Sequence, residues 1–254
     1  MPTIVRANDL ALASKRGPVY GPIDLRLADG LTVLHGPSGS GRTSLLLTLA
    51  GRMKPSTGTL ETLGDELPRG ARRVQRRTAI AGFAGIDELE ESVTVGAAVR
   101  ERAAWISPWW AVVRRPDEAA LRGILGPIFG EAPLPAPDTV IWELDEAQTT
   151  LLRIALAMMS EPRLLCFDGL DELPSPAARD AVWRSLDAIA RSGTAVVVSA
   201  SAPEPGRWAE LGIEPAAHPI LRRAADPAAA ASNASIPPAD ADPADELDVF
   251  LEHA

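Results

Sequence analysis

The sequence has one cysteine, one tyrosine and only two lysines among its 25 basic residues. The single cysteine, Cys166, excludes an intramolecular disulfide. Acidic residues number 34, so the formal net charge is −9. This balance argues against a nucleic-acid partner, because phosphate backbones require a basic surface. No run approaches the roughly 20 apolar residues that cross a bilayer. The absence of such a run predicts a soluble chain that reaches a membrane only through a partner.

Residues 31–51 have the pattern of a phosphate-binding loop between a strand and a helix. Residues 31–35 are typical of a buried strand, and residues 43–50 are typical of a buried helix that Gly51 ends. The loop between them fits G-x-x-x-x-G-K-[ST] except that arginine replaces lysine. It consists of Gly36, Pro37, Ser38, Gly39, Ser40, Gly41, Arg42 and Thr43. Glycines let successive N–H groups and a helix N-terminus point at one anion, so these residues and Ser44 are predicted to bind a nucleotide.

A second part of such a site is predicted at Asp168. Four apolar residues, 164–167, read as a buried strand that ends in this acid. An acid after an apolar run is common by itself. Together with the glycine loop it indicates a metal site, because the hydroxyl of Thr43 and the carboxylate of Asp168 can share one Mg²⁺.

Short apolar runs alternate with helical patterns along most of the chain. The alternation predicts an α/β fold with a mainly parallel sheet, flanking helices and a small antiparallel β layer. Residues 127–137 contain four prolines and are predicted as a loop. Strands are expected at 3–5, 23–27, 31–35, 59–63, 78–81, 163–168 and 194–198, and further helices at 93–104, 146–160 and 176–191.

A third motif extends the pattern and carries a family resemblance. Residues 144–148 begin 24 positions before Asp168, and Pro162 follows 18 positions after Leu144. With the loop at 36–43 and Asp168, these spacings resemble the ATP-binding subunit of an ABC transporter, which has an L-S-G-G-Q signature at this distance. The residues at the signature position are Leu144, Asp145, Glu146, Ala147 and Gln148. Further similarities lie at 54–58, 93–95, Arg179 and Thr194.

The resemblance implies a P-loop NTPase fold of ABC type over residues 1–223, with a helical subdomain inserted at about 87–160. It implies ATP and Mg²⁺ as cofactors and an integral-membrane permease as partner. It also implies dimerisation with itself or with a related subunit, and a cytoplasmic location at the inner face of the membrane. The tail at 224–254 lies beyond the resemblance and is predicted to be disordered, with a possible short terminal helix.

Several positions depart from the family pattern. The glutamate that polarises the attacking water is replaced by Gly169, the switch histidine by Ala200, and the glutamine of the loop that contacts the metal by Gly85. Asp145 and Glu146 stand where the signature has serine and glycine. Two readings of these acids remain open, repulsion of a partner-bound triphosphate or a helix cap with a solvent-facing neighbour. Tyr20 is predicted to be a core or strand-edge residue rather than an adenine-stacking aromatic.

Two functions follow from these observations. The first is the ATP-binding subunit of a transporter complex, and the alternative is a degenerate module that binds nucleotide with little or no hydrolysis. An ATPase that works on DNA or ribosomes is disfavoured by the acidic charge. Trp105, Trp109 and Trp110 cluster in one segment; core packing is the expected role, and a docking surface is the alternative.

Overall fold

The computed structural model describes residues 2–220, so the predicted tail at 224–254 lies outside the described residues. Within this range nine strands form two sheets. The strands are β1 (Thr3–Ser14), β2 (Gly17–Ala28), β3 (Leu31–His35), β4 (Thr57–Thr62), β5 (Asp65–Leu67), β6 (Thr78–Ala81), β7 (Leu164–Phe167), β8 (Ala195–Ala200) and β9 (Ala216–Pro219). The helices are α1 (Arg42–Leu49), α2 (Ala71–Arg77), α3 (Val95–Ile106), α4 (Glu118–Phe129), α5 (Glu146–Met158), α6 (Pro176–Arg191) and α7 (Pro205–Leu211). Short 3₁₀ helices lie at Ile141–Glu143 and Leu170–Glu172.

The larger sheet is parallel throughout and has the strand order β6-β7-β8-β3-β9. Its central strands are continuous apolar runs buried on both faces, as parallel sheets require. The carboxyl ends of β3, β7 and β8 therefore meet at one edge, where the loop at 36–43 and Asp168 follow their strands. The smaller sheet is antiparallel, with the order β2-β1-β4-β5. The predicted α/β fold of this type is confirmed.

Two expectations about local structure were wrong. The predicted loop at 127–137 begins inside α4, because this helix continues through Pro127 to the buried Ile128 and Phe129. Pro127 has no N–H to donate to the carbonyl of Gly123 four residues earlier, but burial of Ile128 and Phe129 in the last turn offsets this loss and favours helix. The three tryptophans at 105–110 are exposed rather than part of the core.

Helices α3, α4 and α5 fall within the segment 87–160 that was predicted to be an inserted subdomain. Its role as a separate subdomain stays a prediction. Buried faces of α4 and α5 contribute Leu125, Phe129, Leu151 and Leu152 to one apolar cluster with the sheet. In the described part of the chain, no helix combines the length and apolarity needed to cross a bilayer.

Candidate nucleotide site

The loop at 36–43 connects β3 to α1 and has a shape that only glycine allows at two positions. Gly41 has a φ of +83°, and a Cβ there would lie 2.5 Å from the carbonyl oxygen of Val19. A Cβ at Gly36 would lie 2.4 Å from the carbonyl oxygen of Ile220. The backbone can therefore curl tightly here because these residues lack side chains.

Several polar groups of the loop are free to receive an anion. The first amides of α1, at Arg42, Thr43 and Ser44, have no acceptor within the helix. The side chain of Ser40 is buried, and its hydroxyl has no hydrogen-bond partner among the described residues. The Ser40 amide closes a turn by donating to the carbonyl of Pro37 at 3.1 Å. Pro37, Ser38 and Gly39 are exposed, so an anion can approach the loop.

Thr43 and Asp168 line the same cavity of about 220 Å³. Asp168 follows β7, its amide donates to the carbonyl of Ala81 at 3.0 Å, and the Ser199 hydroxyl donates to its Oδ1. Hydroxyl and carboxylate oxygens are the ligands that Mg²⁺ prefers, so the donor set fits this ion. The cavity is lined by Arg42, Thr43, Ala84, Asp168, Gly169, Asp171, Glu172 and Ser199.

Arg42, at the position of the usual lysine, forms an ion pair within this cavity. Its Nη1 donates to Oδ2 of Asp171 at 2.9 Å, and only 14% of its side chain is exposed. Oδ1 of Asp171 accepts from the backbone amide of Ser201 at 3.0 Å and from its hydroxyl at 3.1 Å. The guanidinium is therefore held by a carboxylate that is itself fixed to the end of β8.

Asp171 is ionised more readily than an ordinary aspartate. Burial opposes its ionisation, but the hydrogen bonds from Ser201 and Arg42 and the charge of Arg42 outweigh that effect. The pKa of Asp171 is lowered as a result. Asp171 is therefore a carboxylate at neutral pH.

The positions that depart from the family pattern have distinct surroundings. At Gly169 the backbone is extended with φ −176°, but a Cβ would lie 3.1 Å from the carbonyl oxygen of Gly82. Gly85 has a φ of +72°, and its amide donates to the Glu88 carboxylate at 2.7 Å. Ala200 is buried at the end of β8, where its carbonyl accepts from the amide of Gly36 at 3.2 Å. Within the described chain, none of these three positions supplies a polar side chain.

One carboxylate organises the loop that contains Gly85. Asp87 accepts from the amides of Gly82 and Phe83 at 2.8 and 2.6 Å. The same carboxylate accepts from two guanidinium nitrogens of Arg153, on α5, at 2.7 and 3.2 Å. Arg153 and Asp87 are mostly buried, with side-chain exposures of 14% and 21%. The end of β6 is therefore bound to α5 through Asp87.

The residues at the signature position begin α5, apart from the cavity of Thr43 and Asp168. Asp145 caps the helix, since its Oδ1 accepts from the amide of Gln148 at 2.8 Å and the Gln148 side chain accepts from the Asp145 amide at 3.1 Å. Glu146 is exposed, and Leu144 and Ala147 pack against the apolar cluster. The hydrogen bonds of Asp145 and the exposure of Glu146 agree with the helix-cap reading. The repulsion reading concerns a second subunit and stays open.

Tyr20 belongs to the core, as predicted. Its side chain is buried on β2, and its hydroxyl forms a 2.8 Å hydrogen bond with Oγ1 of Thr48 on α1. Burial raises the pKa of the Tyr20 hydroxyl, and the bond to Thr48 lowers it by less. The ring therefore packs beneath the loop and is not available to stack on a base.

The loop and Asp168 were predicted from the sequence, whereas Ser199, Ser201 and the engagement of Asp171 were not. These residues come together because β8 lies between β7 and β3. The available signal was the Ser-Ala-Ser sequence at the end of a buried strand, next to the position of the missing histidine. The structure brings Arg42, Thr43 and Asp168 to one cavity and leaves residues 144–148 outside it.

This combination of a parallel α/β sheet, a glycine loop and a strand-end aspartate defines a P-loop nucleotide-binding protein. Residues 22–170 match the model of the ABC transporter family, and the chain therefore belongs to this family as an ATP-binding component.

Curated relatives are similar over much of this chain. The Nod factor export ATP-binding protein I of Burkholderia orbicola is 27% identical over 197 residues, which cover 76% of this chain and 56% of the relative. The protein of the same name from Mesorhizobium japonicum is 28% identical over 170 residues, 65% of this chain and 46% of the relative. The chain thus spans about half the length of the curated relatives it matches.

Solved structures share the fold. A putative ABC transporter ATP-binding protein from Pyrococcus furiosus aligns with a TM-score of 0.65 at 16% identity, over 85% of this chain and 96% of the other. An ATP-binding cassette of an ABC transporter in its ADP conformation aligns with a TM-score of 0.67 at 16% identity, over 87% and 88% of the two chains. At this identity the likeness concerns the fold alone.

Proposed function

We propose that the chain binds Mg-ATP at residues 36–44, with the metal between Thr43 and Asp168, and couples this binding to a separate membrane permease. The observation that carries the proposal is the cavity that Thr43 and Asp168 share beside a glycine loop with unsatisfied donors. The free amides at the start of α1 receive phosphate oxygens, and Ser199 orients Asp168 toward the cavity. When bound, Mg²⁺ neutralises charge on the phosphate oxygens.

Calorimetric titration with ATP, with and without Mg²⁺, tests this site. Wild-type protein is expected to bind Mg-ATP, and Asp168→Asn is expected to weaken Mg-ATP binding by at least about tenfold, because the metal loses a charged ligand. Binding of ATP in EDTA should change little. Asp138→Asn is the matched control, since Asp138 is exposed and pairs with Arg115 away from the cavity. Undetectable Mg-ATP binding by folded wild-type protein contradicts the proposal.

The proposed partner is an integral-membrane export permease, and the proposed location is the cytoplasmic face of the membrane. Support comes from the family and from the relatives, which are named for export. Purification from the native membrane fraction in mild detergent is the test, and one multi-span protein is expected to copurify in stoichiometric amount. The permease assignment is refuted if the chain never fractionates with a membrane protein.

The proposed dimer, with itself or a related subunit, is tested by light scattering with Mg-ATP.

A degenerate module that binds but scarcely hydrolyses ATP is the second candidate. Specific observations favour it: Gly169 and Ala200 supply no polar side chain, and Asp171 is engaged by Arg42. Glu172 also lines the cavity and is exposed, so it is the remaining carboxylate to test as a base. A phosphate-release assay on purified protein decides. Robust Mg²⁺-dependent turnover that Asp168→Asn abolishes rules out the degenerate module, and loss in Glu172→Gln then assigns the base.

A further inference from the structure

The end of α3 and the loop after it carry most of the exposed large apolar side chains of the described chain. Eight such side chains are found in residues 2–220, and five of them lie between 105 and 112. Exposures reach 78% for Trp105, 92% for Trp109, 70% for Trp110 and 88% for Val112. Ile106 completes this group of five side chains. We call the stretch that contains them, residues 105–115, the tryptophan segment. Exposed aromatic groups of this density mark an interaction surface.

We propose that the tryptophan segment binds directly to the interface of a lipid bilayer that contains anionic headgroups. Indole rings combine a large apolar face with one N–H donor, and this combination favours the boundary between acyl chains and headgroups. Trp109 and Trp110 already form an edge-to-face pair with ring centroids 5.7 Å apart. These two rings therefore form a compact apolar pair that inserts as a unit.

The position of the segment allows it to reach a surface. The buried residues of α3 end at Val99, and the last bond to α5 runs from Nε of Arg102 to the carbonyl of Leu156 at 2.9 Å. Trp105 lies six residues beyond Val99, about 9 Å farther along a helix axis. After Ser107 the chain is irregular up to α4, with a turn in which Ala111 donates to Pro108. The aromatic side chains thus project past the packed part of the helix.

The charges around the segment favour an anionic surface. No acidic residue occurs between Glu101 and Asp117, whereas this stretch contains Arg102, Arg114 and Arg115. Arg114 is exposed and forms no ion pair within residues 2–220. Although the chain carries a formal charge of −9, screening limits the range of its charges to about 10 Å, so a membrane in contact responds mainly to the charges of the segment itself, among which Arg114 has no acidic partner in residues 2–220.

Other charged groups near the tryptophan segment limit the electrostatic contribution to membrane binding. Arg115 pairs with Asp138 at 2.7 Å, Glu101 lies one turn before Trp105 on the same face of α3, and Asp117 and Glu118 begin α4. The indole rings therefore supply most of the binding, and the anionic headgroups strengthen it. We therefore expect binding to anionic vesicles to weaken only modestly as the salt concentration rises.

Trp142 provides a matched control for the aromatic contribution. It is 63% exposed on the 3₁₀ helix Ile141–Glu143, and its amide donates to the carbonyl of Glu91 at 3.1 Å, near the start of α3. It lies at the end of α3 opposite to the tryptophan segment. Removal of its ring changes the apolar surface of the protein without changing the proposed contact.

The test is co-sedimentation of the full chain with protein-free vesicles of phosphatidylcholine, with and without phosphatidylglycerol. Wild-type protein is expected to bind both kinds of vesicle, and the mixed vesicles several-fold more tightly. The combined variant Trp105→Ala, Trp109→Ala, Trp110→Ala should reduce binding at least tenfold with an unchanged thermal unfolding curve. Trp142→Ala should bind as wild type does. Quenching of wild-type fluorescence by brominated lipids, absent from the combined variant, would place the rings at the interface.

Two outcomes overturn the proposal. The first is wild-type protein that does not bind protein-free vesicles, and the second is an equal loss of binding in Trp142→Ala and in the combined variant. The protein-free vesicles contain no permease and the assay needs no ATP, so the result does not depend on the proposed function.

Discussion

Arg42 and Asp171 are 129 residues apart in the chain, yet Nη1 of the arginine lies 2.9 Å from Oδ2 of the aspartate. The arginine occupies the loop position that normally directs a positive charge at nucleotide phosphates. In this structure that charge is already neutralised by a carboxylate. A nucleotide must therefore compete with Asp171 for Arg42.

Replacement of Asp171 by asparagine is expected to tighten Mg-ATP binding. The amide of the variant side chain would keep an oxygen for Ser201 but would release the guanidinium, and a partly exposed ion pair of this kind contributes about 1 kcal/mol. The dissociation constant measured by calorimetry should fall by about two- to fivefold. A double-mutant cycle with Arg42→Ala is the control: that substitution should cost more affinity in the Asp171→Asn background than in the wild type. Unchanged or weaker binding by Asp171→Asn would contradict the competition.

The same pair predicts a pH dependence of stability. The pKa of Asp171 is lowered in the folded protein, so its contribution is present above its unfolded value and is lost as the pH falls through the folded value. Urea unfolding should show a constant stability difference between wild type and Asp171→Asn from neutral pH down to about pH 5, and a shrinking one below about pH 4. A stability difference that grows on acidification would show that a group other than Asp171 controls the pH dependence.

A glutamate at position 169 is not expected to restore ATP hydrolysis. A Cβ at residue 169 would lie 3.1 Å from the carbonyl oxygen and 3.3 Å from the Cα of Gly82. Gly169→Glu should therefore lower the free energy of unfolding by roughly 1–3 kcal/mol without restoring steady-state phosphate release. Gly206→Glu serves as the control, because the position is exposed and a Cβ there meets no atom within 4 Å. Robust turnover by Gly169→Glu would show that one side chain was all the site lacked.

Two glycines of the loop should respond differently to alanine. Gly39 and Gly41 have φ values of +78° and +83°, but only at Gly41 would a Cβ meet other atoms, 2.5 Å from the Val19 oxygen. Gly39→Ala is expected to cost about 1 kcal/mol for backbone conformation, and Gly41→Ala roughly 2–4 kcal/mol because the contact adds to it. Chemical denaturation measures both. Equal costs would mean that the loop relaxes away from β2.

Local patterns were sufficient to predict the strand, loop and helix at 31–50. A β-branched run, glycines and a leucine-rich helix follow each other there without interruption, so each boundary has its own chemical signal. The long strands β1 and β2 were predicted only in part, at 3–5 and 23–27. Their pairing has register shifts, for example between Ala7 and Leu10, and such irregularities break the period of two on which strand recognition depends. Strand β9 contains exposed alanines and Pro219 at a sheet edge, so it has no apolar signal.

Within the site, residues set by local geometry were predictable and residues set by strand order were not. Gly41 and the capping role of Asp145 follow from neighbours a few positions away. The contacts of Ser199 with Asp168 and of Ser201 with Asp171 require β8 to lie beside β7, which the sequence does not state. The exposure of Trp105, Trp109 and Trp110 agrees with the docking surface that was only the alternative, because hydrophobic composition alone favours burial.

The carboxylate of Asp87 makes the connection between the sheet and α5 cooperative. Its four hydrogen bonds join the amides at the end of β6 to Arg153. A rotation of α5 must either carry the loop at 82–85 with it or break the bonds between Arg153 and Asp87. Displacement of the helix and displacement of the loop are therefore coupled through a single carboxylate.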